Sequence, residues 1–148
     1  MSTQQTRFIE VDVSGAVAQF RLLDRIAPTT SAALYESLPF EGDLTHARWA
    51  GSACWTKTSA AALAAIDGLE NPVTSLYRGT LAIRPTDSGR TELFISYGQA
   101  ESRHEVGRTY VTPVAQIETG AEGFFAALAE TWKGGSSPIK IRQVEEER

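Results

Sequence analysis

The chain has 148 residues, 42% hydrophobic and 22% charged, a globular balance that excludes a disordered polymer. Its formal net charge of −4 argues against nucleic acid as a partner, because binders of that polyanion cluster Lys and Arg to displace counterions. Cys54 is the single cysteine, which rules out an intrachain disulfide and a thiolate-rich zinc centre.

In chain order, Arg7 to Val13 alternates Ile9, Val11 and Val13 against Glu10 and Asp12, the period of a half-buried strand. Ser14-Gly15 breaks it, and Ala16 to Leu23 resumes with Ala18, Phe20 and Leu22 on one side, so the two read as a hairpin. Pro28 suits the first turn of a helix, where its missing N–H would be unpaired anyway. Leu34 and Leu38 then share one helical stripe, expected to be buried at a barrel end, and Pro39 ends the helix. Leu44 to Ala50 and Ala53 to Lys57 read as two strands around Gly51-Ser52. Ser59 is placed to cap an alanine-rich turn or short helix running to Ile66 and stopped by Gly68.

An Asn71-Pro72 loop follows. Gly79 to Arg84 and Thr91 to Tyr97 alternate Leu81 and Ile83 with Leu93, Ile95 and Tyr97, a strand pair joined by a Pro85 to Arg90 turn. Pro113 to Glu118 is another strand. Thr119 and Glu122 have capping-box spacing ahead of a helix carrying Ala121, Phe124, Phe125, Leu128 and Trp132, with Gly134-Gly135 as its stop. Ile139 to Val144 makes the last strand. Seven or eight short strands with two or three short helices predict a mainly β fold, a closed barrel and not an alternating βαβ sheet. No repeat or linker divides the chain, so one domain over 1–148 is expected, with 1–6 and 145–148 as flexible ends. The amino terminus lacks the apolar stretch of a signal peptide, and no run approaches the ~20 apolar residues that span a bilayer. A cytoplasmic protein without membrane contact is the expectation.

Three stretches carry a family resemblance. They are Ala-Pro-Thr-Thr-Ser-Ala-Ala-Leu-Tyr-Glu-Ser-Leu-Pro at 27–39, Ala-Arg-Trp-Ala-Gly-Ser-Ala-Cys-Trp at 47–55, and a run from Gly79-Thr-Leu-Ala-Ile-Arg-Pro85 through Leu93-Phe-Ile-Ser-Tyr-Gly98 to Pro113-Val-Ala-Gln-Ile117. In order and spacing the chain resembles the cyclophilin-like bacterial family known as domain of unknown function 3830, from the first strand pair to the helix near Trp132. The resemblance implies a cyclophilin-like β-barrel with residues 27–39 as a helix plugging one end. That family has no settled activity, so none is implied. Cyclophilins themselves resemble one another in an Arg-bearing strand followed by Phe-x-x-Gln-Gly-Gly, and neither occurs here. The nearest fragment, Pro39-Phe40-Glu41-Gly42, is expected at a helix end, so prolyl isomerase activity is not carried over.

His46, Arg48, Trp49, Cys54 and Trp55 form the densest group of chemically able side chains. In an extended segment His46 and Arg48 share one face and Trp49 takes the other. Aromatic rings beside a cation suit a small carboxylate. A plainer arrangement, which ordinary burial preferences favour, has Trp49 and Trp55 filling the barrel and His46 at the surface. Tyr97 ends a strand that enters the polar stretch Ala100 to Gly107, where Tyr97 offers a ring and hydroxyl and Arg103 a carboxylate grip. A solvated connection fits the same residues equally well.

The candidate ligand-binding residues are therefore His46, Arg48, Trp49, Trp55, Tyr97 and Arg103, and no catalytic residue is assigned. Cys54 with His46 or His104 would be a nucleophile and base only in contact and with an activated thiol; an inert buried cysteine is the ordinary alternative. Sharing of a metal by the two histidines with Glu101 or Glu105 lacks any His-x-His or His-Glu-x-x-His spacing, so neither metal nor cofactor is expected. Three functions stay open. The first is a small-molecule-binding or accessory protein without isomerase activity, whose partner is an organic ligand of the carboxylate kind. The second is an enzyme acting on a small carboxylate or amide, with His46 as acid/base and Arg48 or Arg103 as clamp. The third is a peptide-binding module. A homo-oligomer is left open.

Overall fold

The computed structural model describes residues 6–86, 89–104 and 107–145. Strands β1 (Phe8–Val13) and β2 (Ala16–Leu22) bury every second side chain. The turn between them places Ser14 and Gly15 at positive φ, 52° and 90°, the mirror-image turn whose twist matches a tight hairpin. Helix α1 (Pro28–Glu36) opens on its proline. Strands β3 (Phe40–His46) and β4 (Gly51–Thr58) follow, then the single turn α2 (Ala61–Ala64). Next come β5 (Ser75–Leu76), β6 (Thr80–Pro85) and the long β7 (Thr91–Glu101). The short pair β8 (Arg103–His104) and β9 (Gly107–Arg108) precedes β10 (Thr112–Thr119), α3 (Ala121–Gly134) and β11 (Ser136–Val144).

Eight of these strands close a barrel in the cyclic order β1, β2, β10, β6, β7, β4, β3, β11, with every pairing antiparallel. Closure is what removes the exposed edges of an open sheet. The fold is mainly β with three helices, as the strand pattern predicts. Helices α1 and α2 pack together on the rim where β2 and β4 end, and α3 covers the opposite rim, lying against β1, β2, β3, β4, β7 and β11. Phe124 of α3 meets Phe20 of β2 edge-on at 5.5 Å inside the barrel. A second apolar cluster lies outside it, where Val73, Leu76 and Val111 cover Ala53, Ala82 and Phe94. Strands β4, β6 and β7 are thus buried on both faces, which is why Leu81 to Ile83 and Leu93 to Ile95 read as unbroken apolar runs.

Several sequence expectations are corrected. Leu34 and Leu38 are buried as expected, but α1 stops at Glu36, so Leu38 reaches the core from the segment after the helix. Phe40-Glu41-Gly42 lies within β3 and not at a helix end. The turn after β3 is Ala47 to Ala50, closed by the Ala50 N–H donating to the Ala47 carbonyl at 2.9 Å. Gly51-Ser52 belongs to β4. Ser59 caps nothing; the Thr58 hydroxyl accepts the Ala60 N–H at 3.2 Å instead. No capping box forms at α3, whose N-cap is Gly120 at φ 83°, pressed so closely on the Val17 carbonyl that a side chain there would collide. The Ala100 stretch begins as strand, because β7 continues to Glu101 and β5 pairs along it. Asp87-Ser88 of the expected turn, Glu105, and the His104 side chain lie outside the described residues, as do most of the expected flexible ends. Among the described residues no helix is long and apolar enough to cross a membrane.

Candidate functional site

Register decides which side of the barrel each functional side chain takes. His46 pairs with Cys54, and Cys54 with Ile95, and directly opposed residues project to the same face. That face is the barrel interior, so His46 is only 4% exposed. Opposite Ser52 the β4–β7 ladder slips, pairing Gly51 with Ala100 but Ala53 with Ser96. A bulge of this kind bends a strand and re-aims a side chain. Ahead of it Tyr97 keeps the inward alternation of Leu93 and Ile95, and its hydroxyl lies 2.6 Å from His46 Nε2. Two glycines allow the close backbone approach: a Cβ on Gly98 would lie 2.9 Å from Ser52 Cβ, and one on Gly51, at φ 110°, 2.8 Å from the Gln99 carbonyl oxygen.

Burial, reinforced by the Arg48 charge, lowers the His46 pKa and keeps the ring neutral at pH 7. Burial likewise raises Tyr97, with the charge of an ionised Cys54 adding to it and the Ser52 hydroxyl opposing it. A neutral imidazole has one donor and one acceptor nitrogen. Whichever role Nε2 takes toward Tyr97, Nδ1 is buried without a hydrogen-bond partner. Trp132, near the C-terminal end of α3, stands edge-on to the His46 ring at 4.8 Å. Arg48 lies over the Trp132 ring, 4.6 Å from its centroid, and donates a hydrogen bond to the Trp132 carbonyl.

On the far side of Arg48 opens a cleft of about 780 Å³ between the β3–β4 turn and the paired ends of β5 and β7. Arg48, Trp49, Tyr77, Arg78, Glu101 and Arg103 supply its functional lining. Trp49 is 51% and Tyr77 81% exposed, so their rings are free to meet a ligand. Arg78 sits over the Phe125 ring of α3 at 4.5 Å. Glu101 bonds Arg103 at 3.0 Å and Arg108 at 3.2 Å, and the Arg103 hydrogen bond holds its carboxyl below the usual range. A guanidinium has five N–H donors, so these contacts leave Arg48 and Arg103 with donors to spare.

Cys54 has a different fate. Burial pushes its thiol up to about 11 against the Thr131 hydrogen bond, and its sulfur rests 3.2 Å from Thr131 Oγ1 and 3.4 Å from the Leu128 carbonyl. A thiol so poorly ionised is a weak nucleophile at neutral pH. Among the described residues no three His, Cys, Asp or Glu side chains gather as metal ligands do.

The family model "Protein of unknown function (DUF3830)" matches residues 9–143. The chain belongs to that family. No curated protein matches it. Among solved structures, McbB in complex with tryptophan is similar over 95% of this chain with a TM-score of 0.75 at 15% identity. This chain spans 46% of the McbB chain. The hypothetical protein AF2241 from Archaeoglobus fulgidus is similar over 97% of this chain and 100% of its own, with a TM-score of 0.67 at 16% identity. At such identities the likeness is one of fold.

In this DUF3830 protein the six residues singled out from sequence fall into three places. His46 and Tyr97 meet inside the barrel, whereas Arg48, Trp49 and Arg103 line the cleft. Trp55 packs outside, edge-on to Trp49 at 5.9 Å, with Lys57 over its ring. The plainer expectation is thereby reversed: the tryptophans do not fill the barrel, and His46 is not at the surface. The cause is the earlier β3–β4 turn: β3 ends at His46 and Ala47 to Ala50 form the turn, which takes Trp49 out of the strand. Sequence reading missed Trp132 and Arg78 as site residues. Trp132 was legible only as the last member of a helical stripe, and Arg78 carries no local signal. The bulge had one, since Gly98 interrupts an otherwise apolar strand.

Proposed function

We propose that this DUF3830 protein binds a small organic carboxylate in the cleft beside Arg48, without prolyl isomerase activity. The observation that carries the reading is charge placement. Among the described residues, Arg48, Arg78 and Arg103 line one cleft against a single carboxylate, Glu101, in a chain whose net charge is −4. Guanidinium forks match carboxylate oxygens, and the flanking Trp49 and Leu76 exclude water and strengthen such bonds. The tryptophan in the McbB complex is itself a small carboxylate, which supports the ligand class.

Calorimetric titration of a panel of small carboxylates tests this. A charge-assisted hydrogen bond contributes about 1.5–3 kcal/mol, so Arg78→Ala and Arg103→Ala should each weaken a binder about tenfold or more. Unchanged affinity for every binder in both variants means the cleft is not the site.

The contact between His46 and Tyr97 favours a second reading, an enzyme acting on a small carboxylate or amide with neutral His46 as the base. Turnover of a bound carboxylate or amide that disappears in His46→Gln would put this reading first. Strong acceleration in a peptide isomerisation assay would instead favour peptide recognition.

A further inference from the structure

Trp132 makes an unusual set of contacts for a residue that is 47% exposed. Its ring face is covered by Arg48, its ring stands on His46, and its carbonyl oxygen accepts from the same Arg48. One arginine thus reads both an aromatic ring and an oxygen a few bonds away from it. The His46 ring that the indole meets carries Nδ1, a buried polar atom with nothing to bond, although buried polar groups are generally satisfied. The residue's position is one that can yield. It belongs to the last turn of α3, whose end is marked by Gly135 at φ 92°, and last turns fray at small cost.

We propose that the indole of Trp132 occupies a ring subsite that belongs to an aromatic carboxylate, with Arg48 holding the ligand's carboxylate from the cleft and His46 underlying its ring. This rests on the cleft reading above and extends it, because Arg48 is the wall common to both. The ligand replaces Trp132 on Arg48 and His46, and the displaced indole turns to solvent, where half its surface already lies. Simple aliphatic carboxylates fill only the arginine part of the site and leave Trp132 in place.

The test compares propionate with 3-phenylpropionate on the parent and on Trp132→Ala, by calorimetry. A self-occupied site is bound with an affinity reduced by the fraction of time it is free. Two ring contacts of ordinary strength make that reduction about tenfold. Trp132→Ala should therefore bind 3-phenylpropionate about tenfold more tightly than the parent, with propionate unchanged. In the parent, the Trp132 indole N–H resonance of a proton–nitrogen correlation spectrum should move with 3-phenylpropionate and stay fixed with propionate. If both acids bind the parent and Trp132→Ala alike, the ring subsite is wrong while the arginine cleft stands. If neither acid binds either protein, the cleft reading falls and this one with it. Should Trp132→Ala fail to fold, the indole resonance decides, and 3-phenylpropionate binding that leaves it unmoved overturns the proposal.

Discussion

His46 shows how one residue acquires its character from its surroundings. A histidine in sequence is as ready to be charged as not near neutral pH. Inside this barrel, burial and Arg48 lower its pKa from 6.5, so the unfolded chain takes up a proton that the folded chain resists. Stability is therefore complete above about pH 6.5 and is lost as pH falls toward the folded value. Denaturation midpoints from about pH 7.5 to about pH 5.5 should drop more steeply in the parent than in His46→Gln. Parallel curves would show that His46 is not the buried neutral group described. Tyr97→Phe should cost about 1–3 kcal/mol, the penalty of leaving a buried partner unpaired; chemical denaturation at neutral pH measures it. The chemical ability of His46, Arg48 and Tyr97 was legible as residue type. Their separation between barrel interior and cleft was not, because the place where β3 turns back decides that His46 stays in the strand while Arg48 falls in the turn.

At the scale of elements, α1 illustrates capping from a distance. Its own N-cap, Ala27, has no side chain to offer. Glu70 reaches in from the loop after α2 and accepts from the Thr29 and Thr30 N–H groups and the Thr30 hydroxyl, at 3.2, 2.7 and 2.8 Å. Burial raises the Glu70 pKa, but these three bonds outweigh it and hold the carboxyl below its ordinary 4.5. The contribution is thus present above that value and lost as pH falls through the lower, folded one. Glu70→Gln should cost about 1 kcal/mol at neutral pH, the usual worth of a cap, and the loss should shrink in acid. A constant difference at all pH values would mean that the charge is irrelevant. Strand β1 and helix α3 were readable from periodicity alone, because alternating and helical apolar spacings dictate which face can be buried. The caps were not. Ser59 and Thr119 have capping chemistry, yet neither caps its helix, whereas α1 is capped by the distant Glu70, since a cap is chosen by which oxygen lies near the free N–H in space.

For the whole molecule, closure by β4–β7 pairing and a helix packed on each rim tie every strand to its neighbours. Loss of any one contact is then felt by the whole barrel. Far-ultraviolet circular dichroism and tryptophan fluorescence should report one coincident unfolding transition. Phe124→Ala, which removes the fully buried ring set against Phe20, should lower stability by about 3–5 kcal/mol without changing the denaturant slope. Two separated transitions would mean that α3 and the barrel unfold independently. The mainly β class, the hairpin at Ser14-Gly15, the apolar face of α3 and the Leu81 and Leu93 strand pair were determined by sequence alone. Each depends on neighbours along the chain, where spacing and turn chemistry act directly. Only the tertiary structure decided that β4 joins β7, that Tyr97 meets His46 inside the barrel, and that Arg78 and Trp132 come to the same barrel end as Arg48. Those arrangements join residues far apart in the chain, and what selects them is the burial of both faces of one sheet at once, a condition no local stretch of sequence contains.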